Sequence, residues 1–418
     1  MNTQHYLAPL LGAALLVTTG SANVTAQTWD TFVPVPDDDA GIQVLIDPFS
    51  ANPANPSVFV GSMAGTILRM EPLDASTYQP DVVDKNLAQV RRMGFNPTDS
   101  SVYALGERLL VTTAPFPRNN PYVWIVRRSS FNSVSQAWST WTDSDKFYLS
   151  STEAATAYSF ASDPAGNLYA CGSATLKGWP HWIVRRKLAS GGSWTTIADS
   201  SAKSTLTAAY GACFYPGNPS ANLPPALFVT GILSGKWIVQ RLEANGTWTT
   251  VDNAPLSGGA NSITYDANGT LYVVGYRLGP VSDIGGGWVI RTNSAGGAAG
   301  SWWTALDTKE GFQTTARHVA ADMNGNVWVS GLTGSTTDIQ TSVNRWTVMR
   351  SSQGHSWADS WNNRQHPFDG ISSVSGARGI ATDVYGNVFI TGVVSDLTAE
   401  GSTMSGRRIV LQRLVTTP

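Results

Sequence analysis

A ten-residue pattern, D-x-x-G-(N/T)-x-(aromatic)-x-x-G, recurs along the chain and limits its fold more than any other feature. Four copies are clear, three weaker copies keep the same frame, and every copy ends on a glycine. The clear copies begin at Asp163, Asp266, Asp322 and Asp383, and the closing glycines are Gly61, Gly106, Gly172, Gly231, Gly275, Gly331 and Gly392. The glycines lie roughly 45–65 residues apart, which is the spacing of the blades in a β-propeller.

Two further signatures follow the glycine in most repeats. The first, W-x-V-x-R, lies at residues 124–128, 182–186, 237–241 and 346–350, and the second, S/T-W-T-T, begins at residues 193 and 247. These segments are short, alternate in period two and are rich in β-branched and aromatic residues, as is typical of strands. Each repeat therefore predicts four strands, A to D, with the aspartate motif as the A–B turn. Because the tryptophans recur, we expect them to pack between blades, and we expect the arginines to form surface or inter-blade pairs.

The seventh repeat ends after strand C, and a candidate for its missing fourth strand lies at the other end of the chain. Residues 28–32, T-W-D-T-F, copy the S-W-T-T signature. A propeller that takes its last strand from the N-terminus leaves no unpaired edge at its chain ends. The sequence therefore predicts an all-β, seven-bladed β-propeller, formed as a single domain by residues 27–418 and closed by an N-terminal strand.

The repeated motif resembles the bacterial β-propeller repeat families of the SBBP kind. The turns at residues 190–194 and 244–248 resemble the Asp-box of sialidase-like propellers, although Ser190 and Asn245 stand where that box has aspartate. The resemblance covers nearly the whole mature chain and implies the propeller fold. It implies little about activity, because propellers include hydrolases, lyases, lectins and scaffolds.

Composition restricts the partners and the compartment. Charged residues are 13% of the chain and its formal net charge is −2, which provides no basic surface for nucleic acid. Residues 9–20 are an apolar stretch of signal-peptide length, and residues 24–26 fit the small-x-small cleavage rule. We therefore expect a signal peptide over residues 1–26, no membrane span after its cleavage, and a secreted or periplasmic protein. An uncleaved membrane anchor is the alternative.

Functional residues are expected where the blades differ from one another. Strand A is the innermost strand. The position five residues before the motif aspartate lies on this strand, and its residue changes from blade to blade. We expect this column to face the mouth of the central channel, where the variable loops also lie. Five candidate ligand-binding residues come from this position, and His318, which directly follows Arg317, is the sixth. The six candidates are Arg91, Tyr158, Tyr210, Arg317, His318 and Arg378.

Three guanidiniums at one mouth favour an anionic ligand, because arginine pairs bidentately with carboxylates. The first hypothesis is a binding module for acidic glycans or for a protein partner. The alternatives are a uronate lyase or glycoside hydrolase that uses the tyrosines or the histidine for proton transfer, and a structural surface protein whose arginines are neutralised in the channel. Side chains alternate along a strand, so Arg317 and His318 are expected to point in opposite directions and not to act together.

Cysteine and metal-ligand signals are weak. Cys171 falls in strand B of the third repeat and Cys213 in strand A of the fourth, so an inter-blade disulfide and two buried free thiols are both open. The five histidines form no HExxH or paired-histidine motif, and we expect no metal and no cofactor. Residues 37–39, three consecutive aspartates, are interpreted as a solvated acidic loop rather than a calcium site.

Overall fold

The structure is a computed structural model, and it describes residues 28–35, 41–52, 55–70, 81–110, 121–201, 203–204, 206–218, 223–278, 286–308, 314–333, 345–351, 373–383, 385–397 and 404–415. Every regular element within these ranges is a β-strand, as the sequence predicts. Over the same ranges there is accordingly no helix with the length and apolar character needed to cross a membrane.

Each blade is an antiparallel sheet whose main strands pair in chain order. Strand β1 (Thr28–Val35) precedes the first blade, which contains β2 (Gly41–Ile46), β3 (Val58–Ser62), β4 (Ile67–Met70) and β5 (Asp81–Asp84). The second blade contains β6 (Gln89–Asn96), β7 (Ser101–Leu109), β8 (Tyr122–Asn132), the short β9 (Ala137–Trp138) beside β8, and β10 (Thr142–Phe147).

The next three blades have four strands each. The third contains β11 (Ala155–Ser162), β12 (Leu168–Leu176), β13 (Trp179–Lys187) and β14 (Thr195–Ser201). The fourth contains β15 (Ala208–Tyr215), β16 (Ala226–Leu233), β17 (Lys236–Leu242) and β18 (Trp248–Asp252). The fifth contains β19 (Gly258–Tyr265), β20 (Leu271–Arg277), β21 (Gly287–Asn293) and β22 (Trp303–Asp307).

The sixth blade shows three strands among the described residues, β23 (Thr315–Ala321), β24 (Val327–Thr333) and β25 (Arg345–Ser351). The seventh contains β26 (Ser373–Thr382), β27 (Val388–Leu397) and β28 (Met404–Val415), with β1 as its outermost strand. In that pairing Trp29 lies opposite Leu414 and Thr31 opposite Gln412. The N-terminal strand therefore completes the last blade, as predicted.

The seven blades form a closed ring. Each inner strand contacts the inner strands of both neighbouring blades, and β2 of the first blade contacts β26 of the seventh. Pairing with β1 covers the outer edge of the C-terminal strand β28, which protects that strand from edge-to-edge pairing. The inner strands that surround the central channel are β2, β6, β11, β15, β19, β23 and β26.

The hydrophobic core is divided among the interfaces between blades, and the described residues form one apolar cluster at each. At five interfaces a buried tryptophan packs against the closing glycine of the next blade. A Cβ atom added at Gly331 would clash with the carbonyl oxygen of Thr315 and lie 2.8 Å from the Trp288 ring, so the close approach of strand and indole requires glycine. The tryptophans of this set, each at most 1% exposed, are Trp124, Trp182, Trp237, Trp288 and Trp346. Their recurrence therefore reflects packing, as predicted.

Arginines three residues after the tryptophan join neighbouring blades at three interfaces. Each donates to an aspartate in the outermost strand of the preceding blade, and both partners are buried. The pairs are Arg127–Asp84 at 2.8 Å, Arg185–Asp145 at 2.7 Å and Arg291–Asp252 at 2.7 Å. The signature's own arginine, four residues after the tryptophan, instead pairs within its blade in Arg128–Asp99 and Arg241–Glu243.

The recurring aspartate stabilises the turn between the first two strands of a blade. In the sixth blade one carboxylate oxygen of Asp322 accepts from the backbone N–H groups of Asn324 and Asn326, both at 2.9 Å. The other accepts from Asn326 Nδ2 at 2.7 Å and from Trp328 Nε1 at 3.1 Å. Gly325 has a φ of 76°, a conformation that favours glycine. The motif that reveals the repeat is therefore structural and carries no chemistry of its own.

Candidate functional site

Every inner strand has a β-bulge at the column of variable residues. In the second blade Val90 pairs with Gly106 and Arg92 pairs with Leu105, so Arg91 between them has no partner in the register. The other six inner strands have the same irregularity at the equivalent position. The bulged residues are Ile42, Arg91, Tyr158, Tyr210, Asn261, Arg317 and Arg378. Such an insertion interrupts side-chain alternation and redirects the side chains beside it.

The bulge corrects one prediction. Strict alternation placed Arg317 and His318 on opposite sides of their strand, but both are half-buried and lie between the buried Ala316 and Val319. Two consecutive residues of a strand therefore face the channel. We call the bulged residues the outer layer, because they lie nearer the start of each inner strand. The residues that directly follow them along the strands are called the inner layer.

Five residues of the second to fourth blades form a connected group in and beside the outer layer. The Arg91 guanidinium lies 5.5 Å from the centre of the Tyr158 ring, which is within cation–π distance. Tyr158 in turn meets Tyr210 edge-on, with ring centres 5.2 Å apart. Arg91 also forms an ion pair with Glu107 at 3.3 Å, and the other Glu107 oxygen accepts from Thr156 at 2.6 Å. The sequence-predicted residues Arg91, Tyr158 and Tyr210 are thus brought together.

Arg317 approaches this group from the sixth blade. Burial lowers the pKa of Arg317, and the nearby positive charge of Arg91 lowers it further. Its Nε atom is buried without a hydrogen-bond partner, and the described residues give its guanidinium no ion pair. The positive charge of Arg91 is thus close enough to disfavour the charged form of Arg317, an effect that a neighbouring anion would offset.

The inner layer is bridged by a hydrogen bond across the channel. Arg92 Nη1 of the second blade lies 2.9 Å from His318 Nδ1 of the sixth. Arginine is always a donor, so Nδ1 of His318 accepts and the ring is neutral with its proton on Nε2. Burial and then Arg92 hold the pKa of His318 well below its ordinary value, and burial lowers the pKa of Arg92 to about 10. At neutral pH, Arg92 is therefore charged and His318 is not.

Two tyrosines of the channel, Tyr210 and Tyr276, are held in their neutral form. Burial raises the pKa of Tyr210, with smaller contributions from Tyr276 and Tyr158. Burial also raises the pKa of Tyr276. Neutral phenols donate hydrogen bonds, and their rings present apolar faces, so this side of the mouth offers both to a ligand.

The structure places all six predicted residues in the two layers of the channel. Arg91, Tyr158, Tyr210 and Arg317 interact in the outer layer, whereas His318 bonds to Arg92 in the inner one. Arg378 is half-buried at the bulge of the seventh blade and has contacts of its own.

Three residues of the site were missed from the sequence. They are Arg92, Glu107 and Tyr276. Arg92 directly follows a bulged residue, as His318 does. Strict alternation of side chains predicts that Arg92 points away from the channel, so it was not chosen as a candidate. Glu107 and Tyr276 each come directly after a closing glycine, at a position that varies between blades. That variation is the signal that could have found them.

The two cysteines are free thiols in the structure. Burial raises the pKa of both thiols, that of Cys213 to about 12, whereas Arg92 lowers each by a smaller amount. Cys171 Sγ lies 3.7 Å from the carbonyl oxygen of Ala209 in the next blade. A protonated, enclosed thiol is a poor nucleophile, so neither cysteine is placed for chemistry.

We expect neither thiol to react with an aromatic disulfide reagent while the protein is folded at about pH 8, because the reactive thiolate is nearly absent below the raised pKa. In denaturant without reductant, both thiols are expected to titrate. Rapid labelling of the native protein would contradict this assignment, and no labelling after denaturation would indicate a disulfide instead.

Within the described ranges, no group of three or more histidine, cysteine or acidic side chains is arranged to hold a metal ion. The aspartates at residues 37–39, weighed above as calcium ligands, lie outside the described residues. The signal peptide of residues 1–26 also lies outside them.

Comparison with known proteins shows the fold alone. No protein-family model matches the chain, and no curated protein matches it. The SBBP-like assignment therefore stays a prediction, whereas the propeller fold that it implies is confirmed.

Solved structures similar to this chain are propellers of low sequence identity. The virginiamycin B lyase of Staphylococcus aureus, in a catalytically inactive form with quinupristin, superposes with a TM-score of 0.53 at 11% identity, over 93% of this chain and 100% of the other. A streptogramin B lyase gives 0.51 at 11% identity, over 93% and 98%. The polysaccharide lyase Uly1 gives 0.47 at 11% identity, over 90% of each chain. At such identity, activity does not transfer from structure to structure.

Proposed function

We propose that the channel mouth binds an acidic glycan and that the protein is a carbohydrate-binding module. The observation that carries this proposal is the Arg317 guanidinium, which has a buried Nε without a hydrogen-bond partner, no ion pair among the described residues, and a second cation, Arg91, near enough to lower its pKa. Buried charges are normally paired, because an uncompensated one is costly. A carboxylate placed between the two guanidiniums would supply the missing partner.

The outer layer also offers a surface suited to a sugar ring. Tyr158 and Tyr210 stand edge to face, and both belong to the channel wall next to Arg91. Aromatic rings pack against the apolar faces of pyranose sugars, and their hydroxyl groups hydrogen-bond to sugar hydroxyls. A uronate sugar combines both requirements, since its carboxylate meets the arginines and its ring meets the tyrosines.

Binding is favoured over catalysis by the protonation of the site. A lyase needs a base that removes a proton near neutral pH. Nδ1 of His318 is occupied by Arg92, and burial raises the pKa of Tyr210, so neither group is poised as a base. A lyase remains the second candidate, because Tyr210 and His318 line the same channel. Unsaturated products absorbing in the ultraviolet from polyuronate would favour it.

The expected place of action is outside the cytoplasm. This part of the proposal depends on the predicted signal peptide over residues 1–26. A low charge content suits a glycan-binding role in that compartment, because it leaves recognition to the few charges in the channel. N-terminal sequencing of the exported protein tests it, with a new N-terminus at Gln27 as the expected result.

We predict that Arg317→Gln weakens binding of glucuronate-containing oligosaccharides by about 10- to 100-fold, the loss typical of a hydrogen bond to a charged group. Arg91→Gln is expected to weaken it by a similar factor. Isothermal titration calorimetry measures both. Glutamine keeps the length and polarity of the side chain, so the charge is the main change.

The matched control is Arg241→Gln, which removes an arginine whose ion pair with Glu243 lies outside the two layers. Its affinity should equal that of the unaltered protein. If all three variants bind as tightly as the unaltered protein, glycan binding at the mouth is refuted. If all three lose the same amount of affinity, the loss reflects a general charge effect.

A further inference from the structure

The two layers of the channel carry more positive than negative charge. Arg91, Arg92 and Arg317 contribute three cations, and Glu107 is the one carboxylate paired with any of them among the described residues. The count therefore leaves two positive charges without a counter-ion. It does not include Arg378, which has contacts of its own.

The other titratable groups that the structure describes around these arginines do not supply negative charge. Burial raises the pKa values of Tyr210, Tyr276, Cys171 and Cys213, so all four are neutral at pH 7. His318 is neutral as well and accepts one hydrogen bond from Arg92. The excess of positive charge in the channel is thus available to a ligand.

The positions of the charges match a group that enters along the channel axis. Arg91 and Arg317 come from the second and sixth blades and form the outer layer, and Arg92 lies one residue deeper on the same strand as Arg91. A guanidinium has five N–H donors, and the described residues give Arg92 one partner, His318.

We propose that the site selects a sugar that carries a compact dianionic group, with oxygens meeting Arg91 and Arg317 in the outer layer and another oxygen meeting Arg92 in the inner one. This inference rests on the proposed glycan-binding function and gives it a charge class. A single carboxylate, being planar with two oxygens, satisfies the outer layer and leaves Arg92 without a counter-ion. A tetrahedral dianion reaches both layers and balances both charges.

The experiment compares glucose 6-phosphate with glucuronate by calorimetry at about pH 7.5 and about pH 5. The phosphate monoester loses its second proton near pH 6, whereas the glucuronate carboxylate keeps one charge over most of this interval. At the higher pH we expect glucose 6-phosphate to bind at least about tenfold more tightly than glucuronate. At the lower pH we expect this ratio of affinities to decrease. Protein groups that titrate in this interval affect both ligands, so the ratio isolates the ligand charge.

Two variants locate the second charge. Arg92→Gln should remove the preference for glucose 6-phosphate while glucuronate still binds, and Arg92→Lys, which keeps the charge, should retain most of the preference. Arg241→Gln should match the unaltered protein. Melting curves show whether each variant is folded, and if Arg92→Gln does not fold, the pH comparison on the unaltered protein decides alone.

The outcomes separate this inference from the function on which it rests. Equal affinity for the two sugars at both pH values, with glucuronate oligosaccharides bound, would overturn the dianion preference and leave the acidic-glycan module standing. A preference that survives in Arg92→Gln would overturn the role of the inner layer. No binding of any acidic sugar would overturn both proposals together.

Discussion

Replacing Trp288 with alanine is expected to lower the free energy of unfolding by about 3–5 kcal/mol, the usual loss for a fully buried tryptophan. The indole is 0% exposed and lies against Gly331 of the next blade. Its Nε1 donates to the carbonyl oxygen of Leu332 at 2.9 Å. The variant therefore loses apolar burial, leaves a cavity between two blades and removes a partner from a buried carbonyl. Urea denaturation followed by circular dichroism measures the change.

Trp303 of the same blade is the matched control, because its side chain is 54% exposed. Trp303→Ala should change the free energy of unfolding by less than about 0.5 kcal/mol, as surface substitutions usually do. If the two alanine variants lose equal stability, the tryptophan column does not hold the ring together, and its recurrence needs another explanation.

The fold was predictable because blade packing imposes the same residues on every repeat. A tryptophan such as Trp288 fits only against a glycine, and the turn aspartate needs its asparagine and its aromatic partner. Such demands leave columns that can be read in a single sequence. The closing strand was predictable for the same reason, since residues 28–32 keep the signature of an outermost strand that they complete from a distance.

The site was predictable only in part, because it depends on a backbone irregularity and on contacts across the ring. The column of candidates coincides with the bulges of the inner strands, but the bulge between Ala316 and His318 leaves no mark in the residue pattern. The bond between Arg92 and His318 joins residues 226 positions apart. An arginine in the sequence of one blade does not predict a histidine partner in another blade, so the pair is visible only in the closed ring.

Arg291→Met is expected to destabilise the protein by about 3–5 kcal/mol, because it leaves the buried Asp252 without its cation. The Arg291 side chain donates twice to Asp252, through Nε at 2.7 Å and Nη2 at 2.8 Å. Asp252 would keep one donor, Trp237 Nε1 at 3.1 Å, which does not balance a charge. Methionine fills much of the same volume, so the lost charge rather than a cavity dominates the effect. Equilibrium unfolding in urea gives the value.

The double variant Arg291→Met/Asp252→Leu separates the value of the pair from the penalty for breaking it. Replacing a buried ion pair by apolar residues is often neutral or stabilising, whereas removing one partner is not. We therefore expect the double variant to recover a large part of the stability that Arg291→Met loses. Arg241→Met removes the more exposed Arg241–Glu243 pair, also 2.7 Å long, and should lose less than about 1 kcal/mol. If the double variant is as unstable as the sum of its single changes, the pair contributes a specific bond between blades rather than compensating for two buried charges.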